Sequence, residues 1–143
     1  MDKILIADDD PALRSLLRLV AQRAGFAVDL ASNGHEAIEK IAANDYIIAV
    51  VDLMMPKMNG YELVDRIAKL KVRPAVLVVT AMTDTFLPRL DGNIVHSIIR
   101  KPFDIDMVTA VLTELAAAVR SSGSEGEEST GTGNVIEFRG PAC

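Results

Sequence analysis

Asp8 and Asp9, Asp52, Thr80 and Lys101 each follow a short apolar run: Lys3–Ala7, Ile47–Val51, Ala75–Val79 and Val95–Ile99. If those runs are parallel strands of one sheet, their C-terminal ends share an edge, where ligands of open α/β sheets bind. Three carboxylates, a hydroxyl and an ammonium would then converge. Carboxylates brought together repel, and burial raises their pKa values, so either protons or a cation must neutralise them. An oxygen-only donor set suits Mg²⁺, which keeps several waters and accepts phosphate oxygens. A carboxylate beside such a cation can attack a phosphoryl donor and become an acyl phosphate. Asp52, isolated between Val51 and Leu53, is the candidate nucleophile. Lys101 and the cation would neutralise the equatorial oxygens, and the Thr80 hydroxyl would donate a hydrogen bond to one of them. A plainer reading makes Asp8-Asp9-Asp10 a helix N-terminal cluster favoured by the helix dipole. It accounts for Asp10 better than for Asp8, which directly follows the strand.

The intervening segments must return the chain to the other end of the sheet. Asp10 caps and Pro11 begins a helix with Leu13, Leu16, Leu17 and Val20 on one face, closed by Gly25. Phe26–Ala31 reads as a second strand. Asn33 and Glu36 form a capping-box-like start to a second helix. After the turn Met54–Gly60, the residues Leu63, Val64, Ile67 and Leu70 mark a third. Asp104 caps a last helix with Val108, Val111, Leu112, Leu115 and Val119 on one face. Strands alternating with helices through short connections indicate a parallel sheet covered on both sides. The stretch 83–93 is the exception. Pro88 and Gly92 interrupt the helix expected there, which predicts a turn or two of helix or an irregular loop. Lys101-Pro102 is a candidate cis peptide.

A chain of 143 residues, half of them hydrophobic, is sized for one domain with a disulfide-independent core. Trp is absent and aromatics are few, so that core is aliphatic. The net charge of −5 gives no electrostatic case for direct nucleic-acid binding. A single cysteine, Cys143, fits a reducing compartment. The short apolar start does not match a signal-peptide core, and no apolar run reaches the roughly 20 residues of a membrane span. These features predict a cytoplasmic protein without a membrane partner. His35 and His96 lack metal-ligand spacing and read as structural or solvated, and the six Met residues as packing. From residue 121 the composition turns to Gly, Ser, Thr and Glu, which predicts a disordered acidic tail over 121–143 after a domain at 1–120. Val135, Ile136 and Phe138 are an apolar island in that tail, a candidate short docking motif.

Four motifs, in this order, carry a resemblance: Ile4-Leu5-Ile6-Ala7-Asp8-Asp9-Asp10-Pro11, Asp52-Leu53-Met54-Met55-Pro56-Lys57-Met58-Asn59-Gly60, Thr80-Ala81 and Lys101-Pro102-Phe103. Over about residues 1–120 the chain resembles the receiver domain of two-component response regulators. The resemblance implies a flavodoxin-like (βα)5 fold, a doubly wound five-stranded parallel α/β sheet. It implies Asp52 as phosphoacceptor, and Mg²⁺ held by Asp9, Asp52 and the Met54 backbone carbonyl, with Asp8 acting mostly through water. Thr80 and Lys101 would contact the phosphoryl group. The implied donor is a histidine kinase or a histidine phosphotransfer protein. The implied output is contact with a further protein, by a stand-alone switch or relay that catalyses only its own phosphorylation and dephosphorylation. The chain departs from the family's pattern at Ile98, where an aromatic residue usually stands, and around Pro88, in the segment that normally forms much of the output face.

Two other readings compete. In a haloacid-dehalogenase-like phosphatase Asp8 would be nucleophile and Asp10 acid/base, with Thr80 and Lys101 as phosphate ligands. That reading leaves Asp52-Leu53-Met54-Met55-Pro56 without a purpose and lacks a further acidic motif after Lys101. The other is a receiver-like interaction domain that no longer uses phosphate, for which Ile98 leaves some room.

Overall fold

A computed structural model of the chain describes residues 1–55, 58–81, 94–125 and 136–138, of which 122–125 and 136–138 by backbone alone. The expectations for 83–93, including Pro88, lie outside the described residues. The strands are β1 (Lys3–Ala7), β2 (Ala27–Ala31), β3 (Ile48–Val51), β4 (Ala75–Thr80), β5 (Val95–Arg100) and β6 (Ile136–Phe138). The helices are α1 (Pro11–Arg23), α2 (Gly34–Ala43), α3 (Gly60–Ala68) and α4 (Ile105–Glu125). All strand pairings are parallel, in the order β2-β1-β3-β4-β5-β6. This is the flavodoxin-like arrangement, with β1 and β3 adjacent at the point where the strand order reverses.

Continuous apolar strands conceal a division into two layers, because successive side chains point to opposite faces. Leu5, Ala7, Ala49, Val51, Val76, Val78 and Ile98 pack with Ala37 and Ile41 of α2 and with Leu63, Val64 and Ile67 of α3. Ile4, Ile6, Ile48, Val50, Leu77, Val79 and Ile99 pack with Leu17 and Val20 of α1 and with Val108, Val111, Leu112 and Leu115 of α4. Both faces of the central strands are therefore dry, which is why β3 is wholly apolar and β4 is apolar until Thr80 at its C-terminal end.

The helix starts follow their capping residues. The Asp10 side chain accepts hydrogen bonds from the Ala12 and Leu13 amides, and Pro11 opens α1. Gly25 lies at φ 101°, a conformation that favours glycine, and turns the chain from α1 into β2. At α2 the Asn33 side chain accepts the Glu36 amide, as expected. Glu36 does not close the box onto Asn33. Its carboxylate instead accepts the Ser32 amide at 2.6 Å and the Ser32 hydroxyl at 3.0 Å, bonds that hold its pKa below the usual range. The reciprocal box occurs at α3, between Asn59 and Glu62.

The C-terminal expectation needs correction. Residue 120 is not an element boundary: α4 continues through Ser121 to Glu125. Once a helix is nucleated, each added residue gains a hydrogen bond for one fixed backbone unit, so a polar composition does not by itself end it. Residues 136–138 are not part of a structureless tail either. They form β6 and add a sixth strand beside β5. The five-stranded core stands as expected, with this extra strand on its edge.

Candidate functional site

Strand register brings the predicted residues together. Beyond the β1–β2 and β1–β3 pairings, the Asp8 amide donates to the Ala31 carbonyl at 3.1 Å and the Asp52 amide to the Ala7 carbonyl at 3.0 Å. Both aspartates thus start at fixed points on the sheet edge. One carboxylate oxygen from each of Asp8, Asp9 and Asp52 lies within 4.8 Å of the others. Asp8 and Asp52 are buried, at 1% and 6% exposure, whereas Asp9 is open to solvent.

Lys101 extends from the end of β5 between the two buried acids. Its Nζ lies 3.2 Å from Asp52 Oδ2 and 3.5 Å from Asp8 Oδ2. The Lys101 amide also donates to the Thr80 carbonyl at 2.9 Å, which ties the ends of β4 and β5. Lys101-Pro102 is a cis peptide, the isomer considered from the sequence. Thr80 is fully buried at the end of β4. Met54 donates its amide to Asp52 Oδ1 at 3.1 Å, and its side chain is exposed. Asp52 therefore has one oxygen held by a backbone amide and the other by an ammonium.

Asp8 is held differently. Its Oδ1 accepts the Asp10 amide at 2.9 Å. Burial raises its pKa above the ordinary carboxylate value, and the Asp10 amide and Lys101 charge oppose that rise. The neighbouring Asp52 charge adds to it. Three acids facing one ammonium leave excess negative charge among hard oxygen donors, a set that fits a divalent cation such as Mg²⁺.

The raised pKa sets a sign for stability. The folded chain holds the Asp8 proton more tightly than the unfolded chain. Stability from this group therefore falls as pH rises from the unfolded value, near 3.8, towards the higher folded value. Asp8→Asn keeps an acceptor for the Asp10 amide and removes the charge. The variant should be more stable than the parent at pH 7 in EDTA, by on the order of 1 kcal/mol. Urea denaturation should show that gap narrowing towards pH 4. A gap independent of pH would contradict the assignment.

Two contributors, Arg14 and Gly34, escaped the sequence reading. Arg14 on α1 donates to the Asp8 backbone carbonyl at 2.7 Å and steadies the acidic turn from behind. Gly34 and Gly60 let α2 and α3 press against the loop that carries Asp52. A β-carbon on Gly60 would lie 2.5 Å from Leu53 Cα and 2.6 Å from the Asp52 carbonyl oxygen. One on Gly34 would collide with the Met58 backbone and side chain. The Gly60 that closes the Asp52 motif was legible; the matching role of Gly34 was not, because its neighbour is distant in sequence. His35 and His96 have no part in the cluster.

The expected phosphatase roles meet an obstacle at Asp10. Both α1 amides that it caps bond to its Oδ1, and it is absent from the carboxylate cluster.

Comparison with known proteins finds a family and a set of relatives. A family model described as the response regulator receiver domain matches residues 4–113. The chain is 31% identical over 141 residues to the DNA-binding transcriptional regulator NtrC of Rhizobium meliloti, covering 97% of this chain and 29% of that protein. It is 31% identical over 140 residues to the transcriptional regulatory protein SrrA of Staphylococcus aureus, covering 96% and 57% respectively. The chain thus spans from under a third to just over half the length of these curated relatives. Among solved structures, the Thermotoga maritima response regulator TrrA, in complex with Mg(2+)-BeF, superposes with TM-score 0.73 at 30% identity. That likeness covers 80% of this chain and 99% of TrrA. A Francisella response regulator receiver domain superposes with TM-score 0.74 at 27% identity, covering 82% and 98%.

Proposed function

Because the chain belongs to the response regulator receiver domain family, we propose that Asp52 is its phosphoacceptor and that the chain works as a two-component phosphorylation switch or relay. The observation that carries this reading is the position of Lys101 Nζ, 3.2 Å from Asp52 and 3.5 Å from Asp8, in a cluster of three acids. Lys101 occupies the place where a second negative centre, the phosphoryl group, needs a countercharge.

In the proposed reaction one Asp52 carboxylate oxygen attacks the phosphorus of a phosphoimidazole. A P–O bond forms, the P–N bond breaks and the imidazole leaves, giving an acyl phosphate. Asp8, Asp9, Asp52 and the Met54 carbonyl would hold Mg²⁺, which supplies positive charge to the transferring oxygens when bound. Lys101 exchanges part of its contact with the acids for the phosphoryl oxygens. Thr80, at the neighbouring strand end, donates its hydroxyl to one of them. The Met54 amide on Oδ1 and Lys101 on Oδ2 fix the orientation of the Asp52 carboxylate, so the nucleophile is oriented before the donor arrives.

The donor is a histidine kinase or a histidine phosphotransfer protein, and the output is contact with a further protein. The chain's acidity favours a protein target over direct nucleic-acid contact. Among the described residues no helix is long and apolar enough to cross a membrane. We place the chain in the cytoplasm, where such donors present their phosphohistidine, as a regulatory phosphoacceptor with no other substrate.

Incubation with acetyl phosphate tests the reading. Intact-mass measurement should find one added phosphoryl group per chain in Mg²⁺ and little in EDTA. Labelling equal in both conditions would overturn it.

A further inference from the structure

In the five-stranded core, β5 is the outer strand beyond β4. An outer strand leaves a row of backbone donors and acceptors without a sheet partner, which is a template for another strand. Proteins commonly blunt such edges with proline, lysine or an inward charge. Val95–Arg100 holds no proline or lysine, and its centre, Ser97-Ile98-Ile99, is buried and uncharged. In this chain the edge is taken by β6, in the register Ser97↔Ile136, Ile98↔Glu137 and Ile99↔Phe138.

The direction of β6 is informative. A parallel partner needs a crossover connection, and α4 lies between β5 and β6 in the chain. The register groups positions 136 and 138 with Ser97 and Ile99, and Ile99 belongs to the α1/α4 layer. Glu137 falls with Ile98, on the other side of the sheet. Within the three-residue strand the two apolar residues, Ile136 and Phe138, thus sit at the positions that follow the α4 layer. That match of pattern to face is what distinguishes a fitted strand from an incidental contact.

A three-residue strand is short, and its flanking segments are rich in Gly, Ser and Glu. Such a strand holds its place through tethering as much as through its own bonds. A covalent tether this short gives an effective concentration on the order of millimolar. We propose that the β5 edge is a docking site for an extended peptide of apolar–acidic–apolar pattern, and that residues 136–138 are its resident intramolecular cap. The cap keeps the edge closed to other strands, and its release opens a surface that recognises backbone along its length and side chains at alternate positions. This surface is separate from the carboxylate cluster and stands whether or not Asp52 accepts phosphate.

Residue-resolved hydrogen exchange on the full chain tests the cap. Glu137→Pro removes a strand amide, and the double variant Ile136→Ser, Phe138→Ser removes the apolar pair while leaving the backbone able to bond. In both, the β5 amides directed away from β4 should exchange about tenfold faster or more. The β3 amides, in the sheet interior, should be unchanged and report that the core is folded. A synthetic peptide of residues 133–140, added at millimolar concentration, should restore protection in the Glu137→Pro chain and leave the parent as it was.

Unchanged β5 exchange in both variants would overturn the cap. Failure of the peptide to restore protection would overturn the docking site. Parent protection that falls on dilution, with a dimer in sedimentation, would assign the strand to a second copy and overturn the intramolecular reading.

Discussion

Asp52→Asn should leave the chain folded and lower phosphoryl incorporation from acetyl phosphate by at least about 100-fold, the scale expected when a nucleophile is removed. Asparagine has nearly the shape of aspartate and keeps an oxygen to accept the Met54 amide, now bonded at 3.1 Å. It lacks the second anionic oxygen that Lys101 approaches at 3.2 Å, and its amide is a poor nucleophile. The substitution also removes one of two mutually repelling buried charges, so stability should hold or rise. Intact-mass measurement after incubation in Mg²⁺ gives the labelling, and urea denaturation gives the stability. A variant that labels as well as the parent would remove Asp52 from the reaction and direct attention to Asp8 or Asp9.

Lys101→Met should be the most destabilising substitution at the site, and its cost should depend on Mg²⁺. Methionine matches the length of the lysine stem, so the chief loss is the charge. Asp8 and Asp52 would then remain buried with no ammonium between them. Breaking a buried ion pair by removing one partner costs about 3–5 kcal/mol. The Lys101 side chain is 21% exposed, so water screens part of the interaction and about 2–3 kcal/mol is expected in EDTA. A cation bound by the same acids stabilises the folded state by mass action, about 2.7 kcal/mol at a concentration 100 times its dissociation constant. The variant's urea midpoint should therefore recover with Mg²⁺ more than the parent's does. A loss below about 0.5 kcal/mol, the range of ordinary surface substitutions, would mean that Lys101 does not neutralise the pair.

The strand ends were legible because burial on both faces leaves parallel strands with a simple signature. Ile4-Leu5-Ile6-Ala7 and Ala49-Val50-Val51 are apolar without interruption, and the first acid marks where the sheet stops. Asp10 as a cap was equally plain, since its partners are its next neighbours in the chain. What escaped was non-local or close to a tie. The contact between Gly34 and Met58 joins residues with no shared pattern in sequence. Glu36 had two nearby amides to choose from, and the Ser32 hydroxyl next to one of them tips the choice. Ile136 and Phe138 were visible as an apolar island, but nothing local states which edge an isolated pair will join. The Ser/Gly composition after Arg120 pointed away from helix, whereas α4 propagates through it.

The two layers on either side of the sheet divide the carboxylates between them. Asp8 is steadied from α1, through Arg14 and the turn capped by Asp10. The loop bearing Asp52 is seated against α2 and α3 at Gly34 and Gly60. The two acids are thus supported from opposite faces of the sheet and meet only at its edge, where Lys101 Nζ bridges them and the Asp52 amide bonds to the Ala7 carbonyl. The placement of cation ligand and nucleophile depends on residues that touch their backbone as well as on the carboxylates themselves. Each acid therefore has its own set of supporting residues, one set on α1 and one at the starts of α2 and α3.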